Sequence, residues 1–148
     1  MDKILIKNAR IITMDSNLGD FKNADILIHD DKIIQVGENI NVDNAEIIDA
    51  TNFLITPGLI NTHIHTWQTG LRGIASDWTL SDYLESIHKG LASFYKPDDM
   101  YIANYIGALY QINTGATTIV DWCHNNPTPD HTDAAIRGLE ESNIRGIF

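Results

Sequence analysis

The stretch Phe53-Leu54-Ile55-Thr56-Pro57-Gly58-Leu59-Ile60 divides the chain, because its apolar run is interrupted by Pro-Gly, which ends one element and begins another. The hydrophobic pattern differs on its two sides. Residues 1–57 read as short Ile-rich strands, Ile4 to Ile6, Arg10 to Met14, Ala24 to His29, Lys32 to Val36 and Glu46 to Asp49, separated by Asn, Asp and Gly. They predict an antiparallel all-β segment, with Asp30-Asp31 at the centre of a two-residue hairpin.

Residues 58–148 alternate between periods of two and 3.6. An apolar strand from Leu59 to His65 precedes a helical stretch from about Leu80 to Phe94, capped by Thr79 or Ser81. A second helix starts at Lys96 or Pro97, with Asp98 and Asp99 at its positive end, and runs to Ile112 before Gly115 stops it. The β-branched run Ala116 to Asp121 is a buried strand, a helix follows from Asp130 or Thr132 to Glu140, and Arg145 to Phe148 begins another strand. Such alternation implies parallel strands joined by right-handed crossovers, hence an α/β sheet or barrel.

A formal net charge of −10 argues against nucleic acid or an anionic membrane surface as partner, since both are held by clustered Lys and Arg. The single cysteine, Cys123, permits no intramolecular disulfide and fits a reducing compartment. No signal-peptide core follows Met1, and no apolar run approaches the ~20 residues of a membrane span. The expectation is a cytoplasmic protein with neither nucleic acid nor a membrane surface as its main partner.

His63 and His65 stand two apart on the first strand of the alternating region, which points both imidazoles to one face, together with Asn61 by simple alternation. With six His in the chain, His-x-His arises by chance with a probability of about 0.2, so its context carries the weight. If the fold is a barrel, the pair lies at the C-terminal strand end where active sites form. Imidazole suits zinc, iron, copper or nickel better than magnesium or calcium.

Thr56-Pro57-Gly58-Leu59-Ile60-Asn61-Thr62-His63-Ile64-His65, then Leu71-Arg72-Gly73, Gly115 to Asp121 and Ile33 to Gly37, resemble the N-terminal part of the amidohydrolase superfamily. The likeness is to its cytosine-deaminase-like and chlorohydrolase-like branch, which includes triazine hydrolases and S-adenosylhomocysteine deaminases. Asp31 departs from the glycine that members commonly carry in the hairpin. The resemblance implies a composite β-sandwich over 1–57 and the first three or so strands of a (β/α)8 TIM barrel over 58–148. It further implies one divalent metal, Zn2+ with Fe2+ as the alternative, held by His63 and His65, two later histidines and a late Asp. The proton-shuttle residues of such enzymes lie beyond Phe148, so no catalytic residue can be named here and the 148-residue chain alone is expected to be inactive. A barrel takes ~250 residues, far more than follow Gly58. The implied reaction is hydrolysis of a carbon–nitrogen or carbon–chlorine bond on a small nitrogen heterocycle by metal-activated water. A homodimer is compatible with it. Two other readings stay open: a non-catalytic fragment or binding module, and a dinuclear cyclic-amidase-type hydrolase.

Trp67 and Gln68 follow the metal strand in a loop that would overhang the site, an aromatic and an amide suited to stacking on and hydrogen-bonding a planar heterocycle. His124, at the end of the second strand, is a third candidate substrate contact. Cys123 reads as buried and inert. His29, His88 and His131 read as surface residues.

Overall fold

The computed structural model describes residues 3–148 and divides into two compact units, Met1–Pro57 and Gly58–Phe148. In the first unit β1 (Lys3–Ile11), β2 (Phe21–His29), β3 (Lys32–Gly37), β4 (Ala45–Asp49) and β5 (Leu54–Ile55) form one sheet in the order β3-β2-β1-β4, with β5 also on β1. β1, β2 and β3 are an antiparallel meander, but β4 and β5 run parallel to β1, so the sheet is mixed and the expectation of a purely antiparallel segment is corrected. The cause is the return of residues 38–44, which bring β4 in beside β1 at Lys3↔Ala45. Ile40 on this return packs against Leu5 and Leu27, while Asp25 accepts the backbone N–H of Ile40 at 2.9 Å and of Asn8 at 3.0 Å.

Two expected strands merge into β1 because Asn8, at φ 65°, absorbs a register shift between Ile6 and Ala9. Across that irregularity Ile6, Ala9 and Ile11 join one apolar cluster with Ala24, Ile26 and Ala50. The β2–β3 hairpin closes at His29↔Lys32 with Asp30 at φ 56°.

In the second unit β6 (Leu59–Ile64), β7 (Ala116–Asp121) and β8 (Arg145–Ile147) form a parallel sheet in that order, with α2 (Pro97–Asn113) and α3 (Pro129–Glu141) as the crossovers. Ala108 of α2, Ile119 of β7, Leu139 of α3 and Ile144 make a core against which Ile64 packs. Burying each large aliphatic side chain there is worth ~1.5–3 kcal/mol. α2 starts on Pro97, with Lys96 as its N-cap and Asp99 accepting the Lys96 N–H at 2.8 Å.

The single helix expected over Leu80–Phe94 is broken. α1 (Leu80–Tyr83) opens on a Thr79–Asp82 capping box, continues as a π turn (Leu84–His88), and gives way at Gly90 to a 3₁₀ turn (Leu91–Phe94). Tertiary packing overrides the helical period here, because Ile87 and Ala92 both turn into the cluster around Trp67, Met100, Ala134 and Ala135. His131 is buried as well, bonded to Thr128 Oγ1 at 2.7 Å and to the Tyr95 carbonyl at 2.9 Å, which corrects its reading as a surface residue. No helix among the described residues is long and apolar enough to cross a membrane.

α3 lies close on α2 at Gly138, where a Cβ would collide with the Tyr101 carbonyl. Gly→Ala inside a helix ordinarily gains ~1 kcal/mol. Forcing an atom against fixed backbone costs ~1–3 kcal/mol, so Gly138→Ala is expected to melt several degrees lower, as thermal unfolding followed by circular dichroism would show. A rise in melting temperature would contradict this packing.

Candidate metal centre

β6 and β7 are in register at Leu59↔Ala116 and again at Ile64↔Asp121, but offset between these points, where Ile60 pairs with Thr118 and Asn61 with Ile119. β7 carries an extra residue near Thr117 and β6 carries one between Asn61 and Ile64. Simple alternation therefore fails. Asn61 donates to Gln111 Oε1 of α2 at 3.0 Å, while its Oδ1 accepts the His63 backbone N–H at 3.1 Å, across the irregular stretch of β6. His63 and His65 do come together, their ring centroids 5.1 Å apart and their planes at 79°.

The end of β7 fixes both. Trp122 stacks on His63 with centroids 5.4 Å apart. His65 Nδ1 lies 2.7 Å from the Trp122 carbonyl, an acceptor only, so Nδ1 carries the proton and the Nε2 lone pair is free. One residue earlier, the buried Asp121 carboxylate accepts the Thr66 N–H at 3.1 Å, the Thr66 hydroxyl, and Asn104 Nδ2 at 3.1 Å. Burial pushes the Asp121 carboxyl above its ordinary range, against the opposing pull of the Thr66 hydrogen bonds.

Beyond His65 lies a second layer. Trp67 is fully buried at 0% exposure, so the stacking surface expected of it is not available to a ligand; its indole N–H instead donates to His124 Nδ1 at 3.1 Å. His124 sits 4.3 Å from His65 and 4.5 Å from His88, centroid to centroid. Desolvation, then the neighbouring His65 and His88, lowers His124 to about 4, and desolvation followed by His65 lowers His88. Gln68 Nε2 donates to the Tyr83 hydroxyl at 2.6 Å, which lies 2.9 Å from His88 Nε2. His88 thus belongs beside the site rather than on a free helical surface. Nothing local to His88 announces this, since only the break at Gly90 and the packing of Ile87 bring it there. Cys123, half-buried, is pushed up to about 11 by desolvation and is no nucleophile near neutral pH.

The sequence is 34% identical over 145 residues to a 5'-deoxyadenosine deaminase of Methanosarcina acetivorans, covering 98% of this chain and 32% of that protein. A 5-methylthioadenosine/S-adenosylhomocysteine deaminase of Thermococcus kodakarensis is 34% identical over the same length and with the same coverage. The fold superposes on atrazine chlorohydrolase from Arthrobacter aurescens complexed with zinc with a TM-score of 0.86 and 28% identity, over 97% of this chain and 34% of that one. The chain belongs to the amidohydrolase superfamily.

It spans about a third of the length of the superfamily relatives it matches. Guanine deaminase from C. acetobutylicum, at 24% identity and a TM-score of 0.76, shares the fold. No protein-family profile matches the chain. Among the described residues no group of three or more His, Cys, Asp or Glu is arranged to hold a metal ion. The donors that are present nevertheless suit zinc: the His65 tautomer is set for ligation through Nε2, and the His63 ring makes no hydrogen bond within the described residues.

Proposed function

We propose that this chain supplies the first two ligands, His63 and His65, of a metal-dependent hydrolase that removes an amino group from a small nitrogen heterocycle. The observation that carries this reading is the His65–Trp122 hydrogen bond, which leaves an imidazole lone pair free beside a second imidazole at the end of a parallel strand. The relatives named as deaminases of adenosine derivatives support deamination, and the likeness to a zinc-bound chlorohydrolase supports both zinc and a second reading, displacement of chloride.

A divalent ion supplies Lewis acidity, which makes water nucleophilic near neutral pH. The chain's own residues then orient and enclose. Trp122 restrains the His63 ring, Asp121 holds Thr66 directly after His65, and His124 and Gln68 offer polar contacts toward a substrate, with Trp67 acting through His124. The proton transfers that complete the reaction belong to residues outside this chain, in a TIM barrel of which β6 to β8 are the first strands. A cytoplasmic location and a homodimer accord with this reading.

The test is a chimera in which this chain replaces the matching third of the Methanosarcina acetivorans deaminase. Ammonia release from 5'-deoxyadenosine with bound zinc is the expected result, lost in His63→Ala and His65→Ala. A folded chimera that holds zinc equally well with and without both histidines would overturn it.

A further inference from the structure

We propose that His124 serves the site as a fixed hydrogen-bond donor and not as a further metal ligand, an inference that rests on His63 and His65 being the ion's ligands. The argument is one of lone pairs. An indole N–H can only donate, and Trp67 Nε1 lies 3.1 Å from His124 Nδ1, so Nδ1 must be the unprotonated nitrogen. Trp67 is fully buried, and no other acceptor for its N–H stands among the described hydrogen bonds, so releasing His124 Nδ1 would strand a buried donor at a cost of ~1–3 kcal/mol. The proton of the neutral ring is thereby confined to Nε2, which has no partner among the described residues and lies on a residue that reaches solvent.

His65 is locked the opposite way. Its Nδ1–H is taken by the Trp122 carbonyl at 2.7 Å and its Nε2 is bare. Two imidazoles 4.3 Å apart therefore hold opposite tautomers, one presenting a lone pair and the other an N–H. The difference assigns their roles: the lone pair suits an ion and the N–H repels one, while the N–H suits an in-plane lone pair on a ligand. A heterocycle bound beside the ion would meet His124 through a ring nitrogen or a carbonyl oxygen, and a ring N–H at that position would oppose it. His88 backs this arrangement. The Tyr83 hydroxyl accepts from Gln68 and lies 2.9 Å from His88 Nε2, which holds the His88 ring in place beside His124.

The test uses the 148-residue chain labelled with 15N-histidine, in long-range proton–nitrogen spectra at neutral pH. His124 is expected to show an unprotonated Nδ1 and a protonated Nε2, unchanged when one equivalent of Zn2+ moves the His63 and His65 rings. His124→Ala, at an exposed position that leaves the core intact, should shift the Trp67 indole N–H and speed its exchange with solvent; Trp67→Phe should return His124 to a mixture of tautomers. Pyrimidine, which offers lone pairs and no N–H, should move the His124 Nε2–H of the zinc-loaded chain, and pyrrole, which offers the reverse, should not. A protonated Nδ1, zinc bound by His124, or equal responses to the two probes would overturn the inference. If His63 and His65 ignore zinc while His124 keeps this tautomer, the metal assignment fails and the donor assignment survives.

Discussion

Replacing Asp121 with alanine is expected to lower the stability of the Gly58–Phe148 unit by about 3–4 kcal/mol, the upper end of what single substitutions do. The carboxylate is 4% exposed and takes three donors, the Thr66 N–H, the Thr66 hydroxyl and the Asn104 amide. Removing it leaves all three facing a cavity between β6, β7 and α2. Each stranded donor costs ~1–3 kcal/mol, and water entering the cavity recovers part of that. Urea unfolding followed by circular dichroism measures the loss; a change below ~1 kcal/mol would mean that the network contributes little. Asp121→Asn should lose less, since its Oδ1 still accepts.

The pH dependence has a definite sign. Burial raises the native carboxyl above its usual value of 3.8, so within the window between that value and the raised one the native state binds more protons than the unfolded chain. Stability from this group therefore falls as pH rises through the window and is level above it. The advantage of the native residue over Asp121→Asn should be largest on the acid side.

The second large effect concerns zinc. His65→Ala removes the imidazole whose lone pair is set by Trp122, and it leaves His63 as the one remaining ligand of the proposed pair. Losing an outer partner of a metal ligand commonly costs 10–100-fold in affinity, and losing the ligand itself should cost at least ~100-fold. Competition against a chromophoric chelator reads this on the chain itself. His131→Ala, a histidine bonded to Thr128 and Tyr95 elsewhere in the unit, is the control and should bind zinc unchanged. Equal affinity in His65→Ala and the native chain would remove His65 from the site.

Much of the second unit was legible because local signals agreed with one another. β7 begins and ends where its β-branched run does, with Gly115 at φ 91° before it, and α2 begins at Pro97. The first unit was legible as strands and not as a sheet, since the parallel pairing of β4 with β1 depends on where residues 38–44 cross, and no residue periodicity encodes a crossing. At the site, the spacing of His63 and His65 was enough to bring them to one place. Their neighbours were harder to read. Trp67 looked like a ligand-facing aromatic from its loop position, yet it fills the core beside Ile87 and Met100, and only its N–H reaches the site. His88 depended on a break in a helix that its own period did not announce.

The paired offsets in β6 and β7 have a mechanical side. One extra residue on each strand, a few positions apart, cancels by the time Ile64 meets Asp121, so the offset stays local and both ends of the strand keep their register. His63 rides within the offset, stacked on the Trp122 ring, whereas His65 lies just past its end, where the Trp122 carbonyl clasps it. Trp122 thus grips both imidazoles, one through its ring and the other through its carbonyl, so the distance between the two rings is set from β7 and not by the irregular stretch of β6 that carries His63.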